Sequence, residues 1–227
     1  LCACDMTNSV RLDIVVGNAD HAVRLYAQDE HDPARFHERW SYQTHDRIRA
    51  LKAVDLNNDG CIEVVVGSED RNLYVLNQNG QLEWRYLMPD TVLCLDACDI
   101  DGDGLLEIIT GAPDGKISFF NCDGDPLREV QVGDRVNALL VKDLHPGDLT
   151  DGFVEIVVGT DDSLLIYQAL DRKEIETRMS DCWRRLRKHP QDRQLLYLYA
   201  DRVQEKDEYL RAFALRRLAG TFQHAEK

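Results

Sequence analysis

The sequence predicts a mainly β repeat protein that ends in an α-helical segment, and three observations carry that reading. A short acidic pattern recurs in register, β-branched and aromatic runs follow each copy, and beyond residue 170 the apolar period changes from strand to helix. Aligned on its leading aspartate, the pattern begins at Asp5, Asp55, Asp99 and Asp143, at spacings of 50, 44 and 44 residues. Closing glycines follow at Gly17, Gly67, Gly111 and Gly159, and three residues after each comes Asp20, Asp70, Asp114 or Asp162. A leucine stands four residues before each leading aspartate (Leu1, Leu51, Leu95, Leu139), and Ala3, Ala53, Ala97 or Val141 stands two before it. So many positions in phase over four copies define a repeat protein.

Each unit reads as about four short strands. In the second, "IRALKAVD" is a first strand, Asp55 to Glu63 a tight acidic loop, "IEVVVG" a second strand and "LYVLN" a third. "QNG" then marks a hairpin leading into "QLEWRYL". Repeats of roughly 40 to 50 residues with four strands each are the mark of β-propeller blades. Four units, starting near residues 1, 48, 92 and 136, fill residues 1–170. Four would make an unusually small ring, so the expectation is part of a larger propeller of six to eight blades. Open blade faces would then favour self-association.

The acidic loop carries the chemistry. "DLNNDGCIEVVVG" and "DIDGDGLLEIITG" place oxygen-bearing side chains at alternate positions, then a glycine, then a carboxylate at position nine. An EF-hand needs a bidentate glutamate at position twelve, where Val66 and Thr110 stand, and the run that follows is a strand rather than a helix. The pattern resembles the FG-GAP (VCBS-type) repeats of integrin-α-like propellers, over roughly residues 1–170. That resemblance implies a structural calcium ion held between the first two strands of some blades. Calcium takes six to eight oxygens, and alternate acidic residues around a glycine turn supply them. In the second unit the ligands would be the side chains of Asp55, Asn57, Asp59 and Glu63 with the carbonyl of Cys61. In the third they would be Asp99, Asp101, Asp103 and Glu107 with the carbonyl of Leu105. A solvated Asx-rich turn without an ion is the competing reading. The first loop has Val10 in place of the glycine, and the fourth carries an insertion and His145, so the expectation of metal rests on the second and third.

Charge separates the chain into two parts. Of the 27 Lys+Arg and 41 Asp+Glu, residues 171–227 hold 14 and 10, which leaves 13 and 31, a net of −18, in residues 1–170. Such an acidic blade region should bind neither nucleic acid nor an anionic membrane, and it leaves room for a basic protein partner. No apolar run approaches the ~18 residues needed to cross a bilayer.

After "LLIYQAL", Ile175, Met179, Cys182, Trp183 and Leu186 recur at helical spacing until Pro190. Residues 192–220 continue the helical pattern, so 171–227 reads as a helical tail or the start of a helical domain. Seven cysteines form no CxxC pair, which argues against zinc. Unpatterned thiols lean cytosolic and integrin-like repeats lean extracytoplasmic, so the sequence leaves both compartments open. Seven scattered histidines have no recurrent nucleophile, and no phosphate loop or G-x-S-x-G elbow appears. Trp40 and Trp84 occupy equivalent fourth-strand positions, where packing between blades is the expected role. The reading is a non-enzymatic, calcium-stabilised propeller scaffold for protein–protein interaction. The alternative is a propeller sensor or catalytic module of a larger enzyme with an active site in the central channel.

Overall fold

A computed structural model describes residues 1–6, 11–100, 104–142 and 154–169. The helical tail expected over 171–227, most of the fourth acidic loop, and Asp101 and Asp103 of the third lie outside the described residues. The chain divides into two compact units, Leu1–Val141 with Val158–Leu164, and Lys142–Val157 with Leu165–Lys227.

The first three repeats are each a four-stranded antiparallel sheet, paired in chain order. The first comprises β1 (Cys2–Cys4), β2 (Asp13–Gly17), β3 (Ala22–Gln28) and β4 (Phe36–Gln43). The second comprises β5 (Ile48–Val54), β6 (Glu63–Ser68), β7 (Asn72–Leu76) and β8 (Leu82–Leu87). The third comprises β9 (Cys94–Cys98), β10 (Glu107–Gly111), β11 (Lys116–Phe120) and β12 (Pro126–Gln131). In the fourth, the described strands β13 (Ala138–Lys142), β14 (Val154–Gly159) and β15 (Leu164–Ala169) form a three-stranded sheet. These are the blades that the repeat period predicts.

Registers are equivalent from blade to blade. Ile14 pairs with Tyr26, as Val64 does with Leu76 and Ile108 with Phe120. Each third-to-fourth strand pairing slips by one residue at the same place, next to Leu25, Val75 and Phe119. The slip fits the hairpin chemistry. Asn77 and Gly80 close a turn (Gly80 N–H to Asn77 O, 2.9 Å), and Gly80 takes the left-handed φ of +74°, so three residues and a bulge replace a two-residue turn.

The core lies between blades. Blade two sends Val64, Val66, Tyr74 and Leu76, all at 0% exposure, toward Val15, Val23 and Leu25 of blade one. Its opposite face sends Val65, Leu73 and Val75 toward Val92, Ile108 and Phe120 of blade three. A strand covered on both sides has no polar face, which is why the central "VVVG" of β6 is apolar without alternation and the strand is buried throughout. Each fully buried aliphatic side chain contributes about 1.5–3 kcal/mol of transfer free energy. The closing glycines of the first three repeats, Gly17, Gly67 and Gly111, answer to this packing. A Cβ on Gly67 would lie 2.5 Å from Val92 Cγ1 and one on Gly17 2.5 Å from Ile48 Cγ2, so the next repeat's aliphatic residue occupies the space.

Candidate functional site: the acidic loops

The carboxylate at position nine has the same place in each blade where it is described. Asp13, Glu63, Glu107 and Glu155 are 2, 3, 7 and 2% exposed. Three of them accept a backbone N–H from the residue after the leading aspartate: Met6 to Asp13 Oδ2 at 3.1 Å, Leu56 to Glu63 Oε2 at 2.9 Å and Ile100 to Glu107 Oε2 at 2.8 Å. The side chain thus ties the start of the second strand to the end of the first. Burial pushes the Glu63 carboxyl above the usual carboxylate range, and the nearby acids Glu83, Asp59 and Asp55 push the same way against the Leu56 hydrogen bond. Asp13 is likewise raised by burial.

In the second loop the leading aspartate gathers the turn. Asp55 Oδ1 accepts Asp59 N–H at 3.2 Å, and Oδ2 accepts Gly60 N–H at 2.9 Å. Asn57 Oδ1 also accepts Asp59 N–H at 3.0 Å, and its Nδ2 donates to Asp59 Oδ2 at 3.2 Å. Asp59 Oδ1 accepts Cys61 N–H at 2.7 Å, which holds its carboxyl below the usual range. The third loop repeats the geometry where it is described, with Gly104 N–H donating to Asp99 Oδ2 at 3.0 Å. Successive loops are joined by Leu106 N–H to Leu56 O at 2.9 Å.

Of the residues the sequence nominates, the structure brings Asp55, Asn57, Asp59 and Cys61 into one hydrogen-bonded turn and aims Glu63 inward to Leu56. Among the described residues, no three His, Cys, Asp or Glu side chains converge as a metal cluster. The donor set nevertheless suits a hard cation. In the second loop Asp55, Asn57, Asp59 and Glu63 present carboxylate and amide oxygens that accept N–H donors, and oxygens of these kinds have acceptor capacity that an ion can use.

Two further features, one of them recurrent, carry more than their sequence signal. The aspartates three residues past the closing glycines cap the next hairpin, with Asp70 Oδ1 accepting Asn72 N–H at 2.8 Å and Asp114 Oδ1 accepting Lys116 N–H at 3.0 Å. Asp96, only 4% exposed, was not singled out by any motif because its partners come from other repeats. Its Oδ1 pairs with Lys52 Nζ, and its Oδ2 accepts Val141 N–H at 2.7 Å. Burial pushes the Cys4 thiol up to about 12 and the Cys94 thiol up to about 11, values unsuited to a thiolate nucleophile.

Comparison with known proteins agrees with this architecture. The model of the FG-GAP-like repeat matches residues 5–66 and 55–110. No curated protein matches the sequence. Among solved structures, BBS1N in complex with ARL6DN, soaked with lead, is 15% identical with a TM-score of 0.58, and the match covers 74% of this chain and 52% of that one. The same complex soaked with mercury matches at 15% identity and a TM-score of 0.56, over 74% of this chain and 49% of that one. The chain thus spans about half the length of these neighbours. Residues 5–110 thus match the FG-GAP-like repeat, and the chain shares the β-propeller repeat fold of these neighbours.

Proposed function

We propose that the chain is a non-enzymatic propeller scaffold, stabilised by calcium at its second and third acidic loops, that binds another protein. The observation that carries this reading is the phased loop: a leading aspartate gathers the turn, and a buried acid at position nine ties two strands. Asp55, Asn57, Asp59 and Glu63 with the Cys61 carbonyl would hold one ion. Asp99, Asp101, Asp103 and Glu107 with the Leu105 carbonyl would hold the other. Calcium bound there neutralises crowded carboxylates. The chain's own residues do the rest, since the position-nine acid and the loop N–H groups already fix the oxygens on the strand ends. Protein binding is supported by the fold neighbour, which is described as a complex with another protein.

The test is a calorimetric calcium titration of chelator-treated protein beside the Asp101→Ala/Asp103→Ala double variant. Wild type is expected to take up calcium and the variant to lose the third loop's share. Magnesium is expected to bind less well, because its octahedral demand suits a flexible oxygen loop poorly. No uptake at millimolar calcium would make the loops metal-free turns.

A further inference from the structure

Blade one departs from blade two at one place, beside its acidic loop. The cross-strand row Asp13–Ala27–His37 has the same orientation as the row Val15–Leu25–Trp40, which packs toward blade two. Asp13 stands where blade two has Glu63, and Ala27 where it has Asn77. Arg11 takes the place of Cys61, and Arg39, the bulge residue before Trp40, takes that of Glu83 before Trp84. The two shortened side chains border a cavity of about 330 Å³, with Arg11, Arg39, His37 and Glu30 around it. That volume lies at the small end of ligand sites. In a blade region with 13 Lys+Arg against 31 Asp+Glu, two guanidinium groups and an imidazole thus share one cavity. Its acids are already engaged. Asp13 is 2% exposed, accepts the Met6 N–H at 3.1 Å and lies within the field of Arg39. Glu30 pairs with Arg11 at 3.0 Å, with side chains 69 and 41% exposed. The walls are held in place. Gln28 Oε1 accepts the Leu12 N–H at 3.4 Å and its Nε2 donates to Pro33 O at 2.8 Å, which ties the Arg11 segment to the long hairpin that carries Glu30. Asp29 Oδ1 accepts the His31 and Asp32 N–H groups at 2.8 and 3.0 Å and fixes that hairpin.

We propose that this cavity binds a small anionic ligand through a carboxylate or phosphate group held by Arg11 and Arg39. Guanidinium groups match the fork of either oxyanion, and the His37 ring adds an N–H donor. Glu30, resting on Arg11, shows the chemistry that fits there, because it is an oxyanion supplied by the chain itself. An exposed pair of this kind is weak, so a ligand oxyanion that reaches both guanidinium groups displaces it. Asp13 does not compete in this way, since it is buried and bonded to the backbone. Blade two carries Cys61 and Glu83 at these positions and lacks the two guanidinium groups. The site goes beyond the proposed function and requires neither calcium nor a protein partner.

The experiment is a calorimetric titration of the full chain, freed of metal and of chelator, with inorganic phosphate and separately with succinate. Saturable binding of at least one is expected, and the tighter of the two names the group. Arg11→Met and Arg39→Met keep the aliphatic stems and are each expected to weaken binding at least about tenfold. Glu30→Gln removes the internal competitor and is expected to tighten binding by up to about fivefold, a gain that a merely structural side chain does not give. That exposed position decides the matter if an arginine variant fails to fold. No saturable binding of either anion at millimolar concentration overturns the proposal. So does an affinity that the arginine variants leave unchanged or that Glu30→Gln fails to raise.

Discussion

Tyr74 is fully buried, yet its hydroxyl is not apolar ballast. It donates to Asp70 Oδ2 at 2.6 Å, and His45 Nδ1 lies 3.3 Å from it. Burial foremost, then the hydrogen bond to Asp70 and its charge, pushes the tyrosine hydroxyl well above its ordinary pKa. Burial works against Asp70 as well, but hydrogen bonds from Tyr74, Asn72 and the His45 N–H outweigh it and hold the carboxyl below the usual range. A hydrogen bond to a charged group contributes about 1.5–3 kcal/mol, so Tyr74→Phe is expected to cost about 2 kcal/mol at neutral pH. Because the folded-state pKa of Asp70 is depressed, its contribution is present above the unfolded-state value and is lost as pH falls through the folded one. The gap between wild type and Tyr74→Phe should therefore narrow in acid. Urea denaturation of both proteins at neutral and acidic pH measures it, and a gap independent of pH would show that Asp70 is not the partner that matters.

Between strands, the hairpin and the neighbouring tryptophan form one device. Trp40 Nε1 donates to Gln78 O and Trp84 Nε1 to Cys122 O, both at 3.0 Å, each reaching the third-to-fourth strand hairpin of the next blade. A Cβ on Gly124 would sit 2.7 Å from Trp84 Cδ2, and the residue has a φ of +87°. Two costs thus fall on one substitution: backbone strain and a clash with the indole. Gly124→Ala is expected to destabilise by more than about 1 kcal/mol. In a Trp84→Ala background only the strain remains, so the same change should cost less, with a coupling of about 0.5–3 kcal/mol in a double-mutant cycle. Strict additivity would mean that the indole does not rest on the glycine. The third blade lacks this device, because Arg128 takes the tryptophan's register position opposite Phe119 and lies over that ring at 4.8 Å.

Over the unit Leu1–Val141, side chains as well as apolar clusters connect successive blades. Asp96 takes the Lys52 ammonium from blade two and the Val141 N–H from the fourth sheet, so one carboxylate joins three consecutive first strands. Removing one partner of a buried pair costs about 3–5 kcal/mol, and Lys52, with a side chain 34% exposed, regains part of its hydration. Asp96→Asn is therefore expected to cost about 2 kcal/mol, and Lys52→Met, which keeps the stem, less. Guanidinium denaturation checks both: the midpoint should fall with an unchanged slope, since packing between blades is left in place. An Asp96→Asn variant as stable as wild type would reduce the carboxylate to an incidental contact.

Local chemistry by itself determined the repeat and the strands within it. β-branched runs, Asx caps and asparagine–glycine hairpins act over a few residues, and their recurrence at 44 residues is legible without any fold. The acidic loop was legible for the same reason, because Asp55, Asn57, Asp59 and Gly60 make their turn with one another. Tertiary structure decided what spans repeats. The closing glycines have no local need to be glycine and acquire one only when Ile48 or Val92 of the next blade packs against them. Asp96 looks like any strand aspartate until Lys52 and Val141, 44 and 45 residues away, converge on it. Interactions within a turn are written in neighbouring residues, whereas a contact between blades exists only once two separately formed sheets are stacked.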